Sequence, residues 1–103
     1  MIITRRSLRR WAEGQNQGNN VGVSHRVDSC PIATYIHDKG GDDPYVGDTQ
    51  IRWTDPKTGS RIMRPLTDEL KSVIHKVDNW CRGPVSREDF LDVLDSVDRH
   101  FGR

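Results

Sequence analysis

The segment Asp28-Ser29-Cys30-Pro31-Ile32-Ala33-Thr34-Tyr35-Ile36 constrains this chain more than any other stretch. Asp28 or Ser29 suits an N-cap, whose side-chain oxygen takes up a free N–H of the first helical turn. Pro31 fits that turn because its missing N–H has no intrahelical partner to lose. Ile32, Tyr35 and Ile36 then fall at i, i+3 and i+4, so they share one apolar face. His37-Asp38-Lys39-Gly40-Gly41 closes the helix, with Gly40 or Gly41 taking the left-handed position. Buried against a hairpin and a terminal helix pair, this helix is expected to hold the fold together.

The flanking sequence supplies those neighbours. Leu8 and Trp11 share a face with Ala12, which predicts a first helix from about Thr4 to Glu13 that stops at Gly14. The polar run Gln15 to Asn20 is turn-prone and expected to be mobile. Val21 to Val27 alternates weakly and reads as an extended lead-in. Thr49 to Thr54 alternates clearly, with Ile51 and Trp53 on one face. Asp55-Pro56-Lys57-Thr58-Gly59 carries turn chemistry, Ser60 to Arg64 returns as the second strand, and Pro65 ends it. Residues 44–47 are a candidate third strand. Thr67 caps a helix with the apolar stripe Leu70, Val73, Ile74, Val77 and Cys81, and Trp80 lies beside it. Arg82-Gly83-Pro84 stops it. Ser86 opens a last helix whose expected buried face is Phe90, Leu91, Leu94, Val97 and Phe101.

The expected class is α+β: two N-terminal helices, a small antiparallel β-hairpin or sheet, and a C-terminal antiparallel helix pair packed on one sheet face. With 103 residues, one domain is the expectation, divided into a basic helix and flexible polar loop (1–20) and a core (21–103). The apolar start Met1-Ile2-Ile3 is too short for a signal segment or a membrane span. A cytoplasmic location follows, with Cys30 and Cys81 reduced and packed rather than paired.

Val21-Gly22, Cys30-Pro31-Ile32-Ala33-Thr34-Tyr35-Ile36, the hairpin from Ile51 to Met63, Val77-Asp78 and Val85-Ser86 occur in an order that resembles a sparse family of small uncharacterised bacterial proteins. Their pattern is a Val-Gly pair, a Cys-Pro-Ile/Leu-Ala-x-Tyr/Phe-Leu helix start, a short hairpin and a final helix pair. The resemblance spans roughly residues 8 to 98 and implies the fold; it carries no activity. The arginines at 5–10 and the Asn/Gln-rich loop lie outside the pattern.

Five groups of residues could carry chemistry. Cys30 stands in the first turn of a helix, where the dipole lowers a thiol pKa. His25 is the one histidine able to fold back onto it, because His37 lies about 10 Å further along the helix axis. No third member of a catalytic set is visible, and packing beside Ile32 is the plainer use of Cys30. Cys30, His25, His37, His75, Cys81 and His100 are of metal-ligating type, but they lack the close spacing of a structural zinc site, so no metal is expected. Arg5, Arg6, Arg9 and Arg10 with Trp11 concentrate positive charge at one end of the chain. Glu88, Asp92, Asp95 and Asp98 concentrate negative charge at the other. Around Trp53, the arginines Arg52, Arg61 and Arg64 flank a hairpin to which a partner strand could add.

Segregated charge with a net charge of only +1 suits oriented docking. The expected function is a small non-enzymatic protein-binding or regulatory module, an adaptor or inhibitor of a larger complex. It would dock a protein partner or a second copy through Arg5, Arg6, Arg9, Arg10, Trp11, Glu88, Asp92, Asp95 and Asp98. Nucleic-acid binding by the N-terminal Arg/Trp helix is the alternative. A thiol enzyme using Cys30 and His25 is the second. No cofactor and no membrane contact are expected.

Overall fold

Each helix starts at a residue whose side chain takes up a free backbone N–H. In the computed structural model, which describes residues 1–102, α1 is Arg5–Glu13, α2 Pro31–Asp38, α3 Asp68–Trp80 and α4 Arg87–Phe101. Thr4 accepts from Ser7 N–H while the Ser7 hydroxyl accepts from Thr4 N–H, a reciprocal box worth about 1 kcal/mol. Thr67 accepts from Leu70 N–H and Ser86 from Asp89 N–H. At α2 the cap is neither Asp28 nor Ser29 but Cys30, whose Sγ accepts from Ala33 N–H at 3.5 Å. The two expected caps are engaged elsewhere: the Ser29 hydroxyl donates to Asp28 Oδ1, and the Ser29 carbonyl accepts from Val23 N–H.

Among the described residues, five strands form two antiparallel sheets. β2 (Asp42–Val46), β3 (Gln50–Thr54) and β4 (Arg61–Pro65) make a three-stranded sheet in that order. Its β3–β4 hairpin is the one the alternating sequence predicts, and β2 is the candidate strand 44–47 begun earlier, at Asp42, and ended at Val46. β1 (Asn20–Val23) pairs with β5 (Pro84–Ser86). β5 leaves no signal in the sequence, because three residues behind Gly-Pro show no alternation. The left-handed Gly83, at φ +74°, turns the chain so that Pro84 can enter that strand.

α2 is the helix seated most extensively on the three-stranded sheet, through β2, and it also touches β1. This revises the expected layering. The α3–α4 pair meets the two-stranded sheet instead, through α4, and α4 packs against both α1 and α3. On α4 the buried face is Phe90, Val93, Leu94 and Val97, whereas Leu91 is half-buried and Phe101 exposed. On α3, Leu70, Val73 and Val77 are buried and Ile74 is half-buried. The expected mobile loop is held at two points. Gly18 N–H donates to Glu88 Oε1, and the Asn19 carbonyl accepts from Arg87 N–H.

β1 and the start of α2 approach very closely. A Cβ at Gly22 would stand 2.5 Å from the Pro31 nitrogen and 2.7 Å from the Cys30 carbonyl carbon. Backbone cannot retreat as a side-chain tip can. Gly22→Ala should therefore cost about 3 kcal/mol or more in urea unfolding. Gly59→Ala, strained at φ +72° but facing open space, should cost only about 1 kcal/mol. Equal losses at the two sites would refute this account of Gly22.

Candidate docking cleft

The periodicity of α1 sorts its arginines. Arg5 and Arg9 lie one turn apart on one side, Arg6 and Arg10 one turn apart on the adjacent side, and Leu8, Trp11 and Ala12 face the core. The Arg5–Arg9 side is turned against the acidic side of α4. Arg5 Nη1 donates to Asp98 Oδ1 at 2.7 Å and Arg5 Nε to Glu69 Oε2 at 2.7 Å. Arg9 Nη2 donates to Asp95 Oδ1 at 2.7 Å and to Asp98 Oδ2 at 2.8 Å. Asp98 thus bridges both arginines with its two oxygens, and its side chain is only 10% exposed.

The arginine pKa values follow this geometry. The hydrogen bond to Glu69 is the largest influence on Arg5 and raises its pKa above the ordinary value, against the opposing effect of burial. At Arg9 burial opposes the charge, and hydrogen bonds to Asp95 and Asp98 outweigh it. The basic and acidic ends of the sequence, expected to face outside partners, meet each other here.

The Arg6–Arg10 side of α1 lines an open cleft of about 1150 Å³ between α1, the end of α2 and the β3–β4 hairpin. Arg6, Arg10, Lys39, Lys57 and Arg64 border it, and among the described residues Asp55 is its one carboxylate. Its rings are turned inward: Trp11 is 8% exposed and Tyr35 and Trp53 are each 3% exposed. Trp11 Nε1 donates to Asp38 Oδ2 at 2.9 Å, and its ring meets Tyr35 edge-on at 5.6 Å. The Arg64 guanidinium lies 5.0 Å from the centre of Trp53, and Lys39 Nζ 5.8 Å from that of Tyr35. The N-terminal residues run along the rim. Tyr35 OH donates to the Ile2 carbonyl at 2.6 Å, and Arg64 Nη1 donates to that of Met1.

The other candidates are placed apart from this cleft. Glu88 pairs with Arg87 and the loop N–H of Gly18, which together hold its carboxyl below the ordinary range. Asp92 is exposed and enters no ion pair among the described residues. His25 is exposed in a left-handed conformation, φ +61°; its N–H donates to Asp78 Oδ1, and no hydrogen bond joins it to Cys30 among the described residues. Burial pushes the Cys30 thiol up to about 11, overriding the backbone N–H groups of Ala33 and Ile32 that pull the other way. Among the described residues no three His, Cys, Asp or Glu side chains converge closely enough to hold a metal ion.

Lys39, Lys57, Glu69 and the Asp38 acceptor were not singled out from sequence. Glu69 had a readable cue, as an acid in the first turn of α3, but nothing local points it at Arg5. Lys39 and Lys57 sit in turns with no periodicity to aim them.

Two measurements probe this arrangement. Asp98→Asn should lose about 2–3 kcal/mol in urea unfolding, because two buried charge-assisted bonds weaken at once. Glu69→Gln, at an exposed position, should lose under about 1 kcal/mol. The unfolded chain releases the Cys30 proton near pH ~8.5, whereas the folded chain holds it to about 11. The folded state therefore binds more protons across that window, and stability should fall there by up to ~1.4 kcal/mol per pH unit. Cys30→Ser should reduce that alkaline slope while keeping the cap, leaving the share of Cys81, whose thiol burial also pushes up; an unchanged slope would count against a buried, protonated thiol at Cys30.

The chain matches no protein-family model, no curated protein and no solved structure with which it was compared.

Proposed function

We propose that this protein is a small non-enzymatic binding module that docks an acidic segment of a partner protein in the cleft beside α1. The observation that carries this reading is the charge of the cleft: Arg6, Arg10, Lys39, Lys57 and Arg64 against Asp55. Arg5 and Arg9 are held by carboxylates of α3 and α4, so they position α1 and leave Arg6 and Arg10 to meet a partner. Fixed cations at the mouth of a cleft raise the encounter rate with an acidic ligand and select its orientation. The exposed Met1 and Ile2 on the same rim supply apolar area of the kind protein interfaces use.

An acidic protein fits this cleft better than a nucleic acid does. Single-stranded nucleic acids are gripped largely by stacking on exposed rings, and the rings here are covered. The net charge of +1 also provides little long-range attraction for a polyanion. Two free, buried cysteines suit a reducing compartment, so the cytoplasm is the proposed location. No helix among the described residues is long and apolar enough to cross a membrane.

Binding of labelled poly-glutamate and of a random DNA duplex, followed by fluorescence anisotropy at low and moderate salt, tests the reading. Poly-glutamate should bind at low salt and weaken as salt rises. The double variant Arg6→Glu, Arg10→Glu should bind at least about tenfold more weakly, a loss of ~1.4 kcal/mol, with its unfolding midpoint little changed. Tighter binding of the duplex would favour the nucleic-acid alternative. No binding of either polymer, or indifference to the charge reversal, would refute the cleft as a docking site.

A further inference from the structure

One edge of the three-stranded sheet is blocked and the other is open. On the β2 edge, Pro44 lacks an N–H, Asp43 is left-handed at φ +47°, and the register shifts between Asp42 and Tyr45. Those are features that prevent strand addition. The β4 edge differs. Its register with β3 is regular over Gln50↔Pro65, Ile51↔Arg64, Arg52↔Met63, Trp53↔Ile62 and Thr54↔Arg61.

The phase of the ladder fixes which β4 groups are free. Asp55 N–H donates to the Ser60 carbonyl and Leu66 N–H to the Thr49 carbonyl, so these flanking pairs are hydrogen-bonded ones. Bonded and non-bonded pairs alternate along an antiparallel ladder. Ile62 and Arg64 therefore turn their backbone groups toward β3, and Arg61, Met63 and Pro65 turn theirs outward. Pro65 stands where the absent N–H removes nothing from the sheet. Arg61 and Met63 each present an N–H and a C=O to solvent, and none of these bonds another backbone group among the described residues. Met63, between Arg61 and Pro65, is 62% exposed.

The side chains specify what would add there. Ile62 and Arg64 share the face of the cleft, whereas Arg61 and Met63 point to the opposite face. The geometry points to β4 as the acceptor edge for an extended, acidic–apolar alternating segment of a partner protein, its acidic side chains toward Arg64 and the cleft and its apolar ones over Met63. This rests on the docking reading above and adds the partner's conformation and pattern. A second copy of β4 is a poorer occupant, because its sequence Arg61–Pro65 carries two arginines and no carboxylate to meet those of the first.

The test uses the whole chain and a labelled peptide of alternating Glu and Val, about eight residues long, enough to span a strand. Saturable binding is expected, with slowed amide exchange at Arg61 and Met63. Met63→Pro removes an outward N–H only, as Pro65 already does, and should weaken the peptide at least about tenfold while poly-glutamate binding stays the same. Where Met63→Pro disturbs folding, a peptide N-methylated on its edge-facing residues should show the same loss against the unaltered protein. Peptide binding that ignores both changes yet is lost in Arg6→Glu, Arg10→Glu would keep the cleft and overturn strand addition. Peptide binding no tighter than poly-glutamate, without amide protection, would also overturn strand addition. Absence of binding by both the peptide and poly-glutamate would overturn both readings, and preferential binding of a single-stranded DNA oligomer would replace the peptide with nucleic acid.

Discussion

The fold depends on how closely β1 comes to the first turn of α2. Gly22 lets the backbone of Cys30 and Pro31 lie where any side chain would stand. That approach holds the segment between them, with Val23 N–H on the Ser29 carbonyl and Val46 N–H on that of Val27. One contact thus ties together the two-stranded sheet, α2 and the edge of the three-stranded sheet. The Val-Gly and Cys-Pro pairs, eight positions apart in sequence by their glycine and cysteine, are one feature in space. The Cys30 thiol then serves as a cap within that contact, and its burial disfavours the thiolate that nucleophilic chemistry needs.

The charged helices obey a second constraint. α1 is too short to stand alone and is too basic to lie on an apolar surface by more than one side. Leu8, Trp11 and Ala12 provide that side, and Asp98, at the edge of the buried face of α4, accepts the flanking Arg5 and Arg9. A carboxylate this buried would be costly alone; with two guanidinium partners its oxygens are satisfied. The result is a division among four arginines. Two anchor the helix, and two remain on the rim of a cleft that also takes in the hairpin.

Much of the architecture was legible. The starts of α1, α3 and α4 follow from Thr4, Thr67 and Ser86, and the β3–β4 hairpin from the alternation around Ile51 and Trp53. The failures have physical reasons. Cys30 caps α2 because Asp28 and Ser29 bond elsewhere. β5 is three residues held by pairing with β1, so its existence is a tertiary fact. Trp11, expected among the docking residues, stays on the apolar face it shares with Leu8 and donates to Asp38. The cleft itself was legible only in part: Arg6 and Arg10 were in view, and Lys39 and Lys57 were not.

By itself the sequence determined the caps of α3 and α4, most of the periodic faces, the turn of the hairpin and the presence of opposite charges at the chain's two ends. These are properties of residues within a few positions of one another, where spacing and backbone chemistry suffice. Only the tertiary structure decided that those opposite charges neutralise each other across α1 and α4, which sheet edge stays open, and which cations are left over. Those outcomes turn on residues as far apart as Arg5 and Asp98, whose meeting depends on the close packing of every element between them.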